Sequence, residues 1–316
     1  MDIKILPGYY LLCYYMVLRF WDSLTISQKQ AFVAWLFLSI PILFYLIIRF
    51  YPTFEAFYVS TVKWNILGNK KFIGINNFVK IINNEDFWIV LSNTVKYAVI
   101  GVPISLFLSF VIAYYLNEVT FGHETIRALY FIPFLTTAVA MAWVWRWLYQ
   151  PVPIGYFNVI LSWFGIPQQP FLKSVSQALY SIMAPAVWAG LGFQIIIFLA
   201  GLRAIPQSHL EASSIDGAGR LQVLWEILLP ALRPTILFLT IVSTIGFLRI
   251  FDQVYSMSSD SAGGPLNSTK PLVLMIYESA FDEFKMGYAA ALTVILFFIL
   301  LAVSLVQLSL MKKWTQ

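Results

Sequence analysis

The sequence predicts an all-α integral membrane protein with six membrane-spanning helices. Hydrophobic residues make up 60% of its 316 residues and charged residues only 11%, whereas a soluble domain is about half apolar and about one quarter charged. The apolar runs are uninterrupted, as in VILFFILLAVSLVQLSL at 294–310, and lack the alternation of a membrane β-barrel strand. Because backbone groups in hydrocarbon must pair within their own segment, each run is expected to be a helix.

Six apolar stretches are long enough to cross a bilayer, which takes about 20 residues. They lie at about 30–50, 92–116, 126–148, 178–202, 235–257 and 287–310. Ahead of them, residues 8–21 are too short to cross, and their Tyr, Arg and Trp side chains predict a helix at the membrane interface. No small-residue cleavage site follows, so no removable signal peptide is expected within residues 1–29.

The connections between the spans carry turn-forming residues. Residues 51–91 are long enough for a small ordered cap, 149–177 hold prolines and glycines around one short apolar helix, and 258–270 form a turn-rich loop. The sequence WVWRW at 143–147 stands at the end of a span, where an aromatic belt is expected. The alternative is a platform on which a sugar ring stacks.

Residue content argues against several classes of protein. The single cysteine, Cys13, cannot form an intrachain disulfide, and the two histidines, His123 and His209, give no metal-ligand cluster. The dipeptide Gly-Lys is absent, so the chain has no phosphate-binding loop of an ATPase. Nucleic acid is not an expected partner, because no Lys and Arg stripe with interleaved aromatics occurs. Basic residues divide equally between the two sides, so the positive-inside rule leaves the orientation open.

Residues 203–233, here named the elbow, interrupt the apolar pattern between the fourth and fifth spans. Ser208, with Glu211 three residues later, forms the Ser-x-x-Glu pattern that predicts a capping box and a helix beginning just after Ser208. Gly217 is placed to end this helix, because glycine adopts the left-handed conformation without steric cost.

A second elbow helix is predicted from Leu221 to Leu229, closed by Pro230. Apolar residues recur on one face of this helix at the spacing i, i+3, i+4, i+7, at Leu221, Leu224, Trp225 and Leu228. Helices this short are marginal alone and need a surface to pack on. The elbow could therefore lie on the membrane as an anchor or protrude toward a partner protein.

The stretch EASSIDGAGRLQVLWEILLP at 211–230 resembles the EAA signature, which is EAA, three variable residues, G, nine more, I, x, L, P. That signature marks permease subunits of binding-protein-dependent importers of the ATP-binding-cassette (ABC) superfamily, and the version here is similar to the carbohydrate branch. Ser213 stands where the signature usually has its second alanine. Further segments match in order and spacing: FIGINNF (72–78), LSNTVKYA (91–98), AVWAGLGFQIIIFLAGLRAIP (186–206), FDQVYSMSSDSAGGP (251–265) and MGYAAALTVILF (286–297).

The resemblance implies a six-helix type I ABC importer transmembrane domain over residues 30–316, in a bacterial inner membrane. The elbow would be a cytoplasmic coupling helix, which places both termini in the cytoplasm. The implied partners are a second permease, a dimer of ATPase subunits that use ATP and Mg, an extracytoplasmic solute-binding protein, membrane lipid, and a carbohydrate or polyol substrate. No cofactor is expected on this chain. The segments FIGINNF and GGP resemble the first of two non-identical permeases.

Three groups of site residues follow from the resemblance and from helical spacing. ATPase coupling is expected at Ser208, Leu210, Glu211, Ala212, Ile215, Asp216, Gly217, Leu221, Leu224 and Trp225. Span five places hydroxyls and aromatic rings on one face, and with span four the expected translocation lining is Trp188, Gly190, Phe193, Thr240, Ser243, Thr244, Phe247, Ile250 and Phe251. Docking of the binding protein is expected at Gly263, Gly264 and Pro265. Ordinary helix packing is the alternative role for these aromatic side chains.

Arg249 within span five needs a partner, because a guanidinium at mid-bilayer costs about 2.5 to 3.5 kcal/mol. The simplest partner is Asp252 at i+3, and direct contact with substrate is the alternative.

Two other functions stay open at this point. A membrane enzyme of lipid-linked sugars needs ionisable groups that converge at a span end. An ion-coupled carrier usually needs carboxylates within its spans or broken helices at the midplane.

Overall fold

The computed structural model describes residues 23–66, 68–119, 122–258 and 263–315, without the side chains of 123, 124 and 311–315. The chain divides into two units, residues 1–58 and 59–316. The interfacial helix predicted at 8–21 lies outside the described residues.

The first unit holds one long apolar helix. Helix α1 (Ile26–Tyr45) begins at a capping box, in which the Gln28 amide donates to Thr25 Oγ1 at 3.4 Å and the Thr25 amide donates to Gln28 Oε1 at 2.9 Å. It continues through a π-helical turn (Leu46–Phe50) into α2 (Tyr51–Ser60). None of the α1 side chains is buried, as expected of a helix whose surroundings are lipid.

The second unit is a bundle of helices with one two-stranded hairpin. Its elements are β1 (Val62–Lys63), β2 (Lys71–Phe72), α3 (Asn76–Ile82), α4 (Glu85–Glu118), α5 (His123–Leu135), α6 (Ala138–Leu148), α7 (Tyr156–Trp163), α8 (Ala178–Arg203), α9 (Gln207–Ile215), α10 (Arg220–Ala231), α11 (Arg233–Leu248), α12 (Asp252–Met257), α13 (Leu272–Tyr277) and α14 (Met286–Thr315). Among the described residues, four helices are long and apolar enough to cross a membrane, and the number rises to six if each of two bent pairs is one span.

The centre of the bundle is formed by α4 and α8, against which α5 and α11 pack. Two glycines allow the closest approaches. A Cβ atom at Gly101 would lie 2.5 Å from Phe247 Cε1, and one at Gly192 would lie 2.5 Å from the carbonyl oxygen of Tyr130. Tyr97, Ile182, Phe198, Leu239 and Met257 are among the fully buried side chains of this core.

Two predicted spans are longer in the structure than in the sequence pattern. The first was expected at 30–50 and the helix covers Ile26–Ser60; the second was expected at 92–116 and α4 covers Glu85–Glu118. Helix α4 starts early because Asn84 Oδ1 accepts the Asp86 amide at 3.0 Å, which caps a polar first turn that hydropathy leaves out.

The predicted third span, 126–148, is two helices bent by 98° and not one. Thr136 and Thr137 have extended backbones, with ψ of 138° and 142°, and Thr137 Oγ1 caps α6 by accepting the Ala140 amide at 3.4 Å. Pro133 lies in the last turn of α5, where its missing amide weakens the helix just before the break. An apolar run alone does not reveal such a threonine cap.

The predicted fifth span, 235–257, is also wrong as a single helix. Helix α11 ends at Leu248, and the next residues are not helical: Arg249 has φ −108° and ψ 17°, and Phe251 has φ −143° and ψ −62°. Helix α12 then begins at Asp252. Residues 249–257, the last part of the predicted span, therefore do not continue the helical face on which the translocation lining was predicted.

A small cap is formed by the hairpin and α3. The strands pair antiparallel, with Val62 opposite Phe72, and the Asn77 side-chain amide donates to the carbonyl oxygens of Ser60 and Val62 at 2.8 and 3.0 Å. A Cβ atom at Gly287 would lie 1.9 Å from the Val62 carbonyl oxygen, so α14 meets the hairpin backbone there. The ordered cap predicted within 51–91 is present, although α2 extends through its first ten residues.

Candidate functional site

The turn of the elbow is built on Gly217, as the sequence predicts. Gly217 has φ +76°, a conformation that glycine adopts without the steric cost of a Cβ atom. The Ala218 amide donates to the Ser213 carbonyl at 2.9 Å and the Gly217 amide to the Ser214 carbonyl at 3.2 Å. These two bonds form the Schellman motif that ends a helix.

The predicted start of α9 is wrong by two residues. The helix begins at Gln207, its N-cap is Pro206, and no capping box forms between Ser208 and Glu211. Helix α8 ends at Arg203, so only three residues separate the two helices and Pro206, with φ −59°, leads directly into the first turn. Ser208 therefore lies inside the helix and cannot serve as its cap.

The second elbow helix is longer than predicted, and Pro230 does not close it. Helix α10 starts after Gly219, whose amide donates to Gln222 Oε1 at 3.0 Å, and it runs to Ala231. The segment Val223–Leu228 is π-helical, which accommodates Pro230 without a break. The break comes at Leu232, where α10 and α11 meet at 66°.

The predicted coupling residues divide between the inside and the outside of the elbow. Leu210 and Leu224 are half-buried against the main core. Ile215, Leu221 and Trp225 are 86%, 72% and 67% exposed, and we name these three residues the elbow face. The remaining polar or small members, Ser208, Glu211, Ala212, Asp216 and Gly217, are exposed. The π-helical turn changes the residue spacing, which separates Leu224 from the predicted apolar stripe.

A cavity of about 450 Å³ lies between α6, α8, α11 and the non-helical segment that follows α11. It is lined by Phe134, Thr136, Ala138, Met141, Ala186, Ala189, Gly190, Phe193, Gln194, Val242, Ser243, Gly246, Phe247, Arg249, Ile250, Phe251, Asp252 and Gln253. The two unpredicted helix breaks, at Thr136 and at Arg249, both border it. The cavity therefore exists where the spans depart from regular helix.

Six of the nine predicted lining residues line this cavity: Gly190, Phe193, Ser243, Phe247, Ile250 and Phe251. The other three do not. Trp188 packs against Trp145, with ring centroids 5.8 Å apart. The hydroxyls of Thr240 and Thr244 each donate to a carbonyl four residues back in their own helix, both at 2.7 Å.

The expected ion pair between Arg249 and Asp252 is absent. Both side chains are exposed and both line the cavity, but they do not form a salt bridge with each other. The i, i+3 spacing brings side chains together only on a continuous helix, and the backbone between these two residues is not helical. The cavity thus holds one guanidinium and one carboxylate that are separately available.

A buried polar network on one wall was missed by the sequence reasoning. Gln194 is 4% exposed; its Oε1 accepts from Ser109 Oγ at 2.9 Å, and its Nε2 donates to the hydroxyls of Ser105 and Ser243 at 3.3 and 3.0 Å. The network joins α4, α8 and α11. A lone amide in the apolar run GFQIII was its only sequence signal.

Aromatic rings form the apolar walls of the cavity. Phe134 and Phe193 are stacked, with centroids 5.6 Å apart and an interplanar angle of 21°. Phe251 is stacked on Tyr255 at 5.5 Å with the same angle. Flat ring faces beside amide, hydroxyl and charged groups are the features of a site for a polar small molecule.

The residues predicted to dock the binding protein determine the conformation of a loop, and two of the three are buried and offer little surface for contact. Gly263 and Gly264 have φ of +103° and +71° and are buried, and Pro265 begins a short 3-10 turn that contains Leu266, 84% exposed. The loop is fixed to α4, since the Asn93 amide donates to the Asn267 carbonyl at 2.7 Å. Residues 259–262 of this segment lie outside the described part of the chain.

Known proteins resemble this chain over most of its length. The family described as binding-protein-dependent transport system inner membrane component matches residues 30–316. The probable ABC transporter permease protein YesP of Bacillus subtilis is 32% identical, with 91% of this chain and 93% of that protein covered. The sn-glycerol-3-phosphate transport system permease protein UgpA of Agrobacterium fabrum is 31% identical, with 88% and 94% covered.

A solved structure shows the same fold. The structure of a bacterial alginate ABC transporter, in complex with an alginate pentasaccharide-bound periplasmic protein, contains a chain that matches with a TM-score of 0.81. Its sequence identity is 20%, and the match covers 91% of this chain and 96% of that one.

Proposed function

The chain belongs to the family of binding-protein-dependent transport system inner membrane components, and we propose that it forms one permease half of an ATP-driven importer for a carbohydrate or polyol. The observation that carries this proposal is the cavity of about 450 Å³, which opens where α5 and α11 end. Its volume is within the range of about 300 to 1,000 Å³ that is common for small-molecule sites.

The chemistry of the cavity suits a polyhydroxylated substrate. Arg249 and Gln253 offer donors and Asp252 offers an acceptor, so hydroxyl groups of the substrate find partners of both kinds. Phe193 and Phe247 give flat apolar surfaces for the carbon face of a ring. The relatives named for sn-glycerol-3-phosphate and, in Streptococcus mutans, for multiple sugars support this substrate class.

The energy for transport comes from a separate ATPase subunit that holds the elbow. The elbow face exposes three large apolar side chains in a segment whose turn is fixed by backbone hydrogen bonds. Burying each of them against a partner contributes about 1.5 to 3 kcal/mol, which is enough to keep the elbow bound to the ATPase subunit. A tilt of the elbow then moves α8 and α11 as rigid bodies, and the cavity lies between them.

The proposed assembly has two permeases, two ATPase subunits and an external binding protein. The elbow and both termini face the cytoplasm in this arrangement, and the loop around Gly264 faces outside, where the binding protein docks. A second permease closes the open side of the cavity.

Uptake by purified complexes in sealed proteoliposomes tests the proposal. The expected result is uptake of a labelled sugar or polyol that requires ATP on the elbow side, the ATPase subunits and the binding protein. Uptake that continues without ATPase subunits and is abolished by an ionophore would identify an ion-coupled carrier. Chemical conversion of a lipid-linked sugar without transport would identify an enzyme.

A further inference from the structure

We propose that a pocket between α5 and α8 binds the phosphate of an anionic phospholipid through Arg127 and Arg203. The pocket has a volume of about 290 Å³ and is lined by Arg127, Ile196, Leu199, Ala200 and Arg203. It is separate from the cavity beside α11, with which it shares no residue.

The guanidinium of Arg127 is the first reason to expect an anionic ligand. Its Nε and Nη2 atoms are inaccessible to solvent and have no hydrogen-bond partner among the described residues. Arginine is always charged in proteins, and the side chain of Arg127 is half-buried, so two of its guanidinium nitrogens lose water without gaining a partner within the described part of the chain, which is unfavourable. Buried polar groups are nearly always satisfied in folded proteins, so a partner is expected from outside the described residues, and the pocket that Arg127 lines gives access to its side chain.

The position of the pocket relative to the bilayer is the second reason. Helix α8 has 26 residues and Arg203 is its last one; at 1.5 Å per residue it is about 39 Å long, longer than the hydrocarbon core of about 30 Å. Arg203 therefore lies at the level of the lipid headgroups. Arg127 lies near the start of α5, which packs against α8, so both cations are at the same end of the bundle.

The walls of the pocket suit a lipid. Three exposed residues of α8, spaced at i, i+4 and i+7, form a strip along one face of the helix: Ile196, Ala200 and Arg203. The strip is apolar at its first two residues and cationic at Arg203, where the helix ends. Acyl chains can lie along this strip while the phosphate accepts hydrogen bonds from the exposed guanidinium of Arg203 and from the part of Arg127 that lines the pocket. Basic pockets between membrane helices are known to take anionic headgroups.

Lipid titration of the assembled transporter tests the site. Native mass spectrometry or fluorescent-lipid binding would compare phosphatidylglycerol with phosphatidylcholine on the wild type, Arg127→Gln, Arg127→Lys and Arg203→Gln. We expect the wild type to prefer phosphatidylglycerol, and Arg127→Gln to lower its apparent affinity for that lipid by about tenfold or more. Arg127→Lys should retain part of the preference, because the charge stays and the fork is lost.

The control is Arg220→Gln, which removes an exposed cation from the same end of the bundle but not from the pocket. It should bind phosphatidylglycerol like the wild type. Glu124→Gln removes the carboxylate three residues before Arg127 and should also leave the lipid preference unchanged. If a preference emerges only after this change, Glu124 is the native partner of Arg127 and the proposal is wrong.

Three other outcomes would overturn the assignment. Equal binding of phosphatidylglycerol by the wild type and Arg127→Gln would remove the role of Arg127. Competition by millimolar inorganic phosphate without any preference between the two lipids would indicate a site for a free anion. A cross-link from this pocket to an acidic segment of another subunit, with no bound lipid in the complex, would indicate a protein contact.

Discussion

Gly217 sets the direction of the elbow through its backbone alone. Its φ of +76° lies in the left-handed region, where a residue with a Cβ atom loses about 1 to 2 kcal/mol. No atom lies within 4 Å of the place that a Cβ atom would occupy. A side chain at this position would therefore strain the turn without clashing with any neighbour.

Because the cost at position 217 is backbone strain and not a clash, the effect of a substitution should depend on how well the new residue tolerates the left-handed conformation. Gly217→Val should insert into the membrane but lose most ATP-driven uptake, because a β-branched residue strongly disfavours the left-handed conformation. Gly217→Asn should retain most uptake, because asparagine tolerates that conformation. Uptake and co-purification of the ATPase subunit would be measured for both. Equal activity of the two variants would show that the turn does not depend on this backbone conformation.

The side chain of Gln194 joins three helices beside the cavity. Gln194→Leu removes three side-chain hydrogen bonds, and at about 0.6 to 1 kcal/mol each the free energy of unfolding should fall by roughly 2 to 3 kcal/mol. Thermal unfolding in detergent would report the loss. Gln150→Leu, at an exposed position, serves as the control and should leave the Tm unchanged.

Helix packing beside the cavity depends on the close approach of α4 and α11. A Cβ atom at Gly101 would meet the Phe247 ring at 2.5 Å, and Phe247 lines the cavity. Gly101→Val is therefore expected to destabilise the protein by about 1 to 3 kcal/mol and to alter substrate selectivity by displacing that ring.

Gly246→Ala provides the matched control for stability alone, since nothing lies within 4 Å of its added atom but the residue itself lines the cavity. In a helix interior this change should stabilise by about 0.5 to 1 kcal/mol. Unfolding midpoints in detergent would distinguish the two variants, and competition between labelled sugars would compare Gly101→Val with the wild type. A Gly101→Val protein with wild-type stability and selectivity would mean that the two helices are not held at this distance.

Elements fixed by local chemistry could be predicted from the sequence, and elements fixed by tertiary contacts could not. The Gly217 turn and the span at 178–202 follow from a glycine and an apolar run, and both are confirmed. The break after Leu135 leaves the apolar pattern almost unchanged, and the break after Leu248 is marked only by Arg249, Asp252 and Gln253 within a longer apolar run, so a hydropathy window treats each broken segment as one helix. The partners of Gln194 come from two distant helices, which no local pattern encodes.

At the scale of the whole molecule, the orientation in the membrane remains a prediction. The positive-inside rule does not determine the orientation, because equal numbers of cations flank the spans on the two sides. The orientation follows instead from the proposed binding of the elbow to a cytoplasmic ATPase. The exposed positions Ser214, in the elbow, and Leu266, in the loop after Gly264, should therefore face opposite sides.

Single-cysteine labelling checks this. In a Cys13→Ser background, Leu266→Cys should react with a membrane-impermeant maleimide in intact spheroplasts, whereas Ser214→Cys should react only after permeabilisation. Each variant is the control for the other. The reverse pattern, or labelling of both from outside, would contradict the proposed topology.

An ATPase subunit is expected to cover the elbow face, and a cross-link from Trp225 would detect that contact. A photo-reactive phenylalanine analogue would replace Trp225, which is 67% exposed, and, as a control, Leu129, which is 61% exposed on α5. We expect irradiation of the assembled transporter to join position 225, and not position 129, to the ATP-hydrolysing subunit. Adducts from position 225 with lipid alone would contradict this expectation.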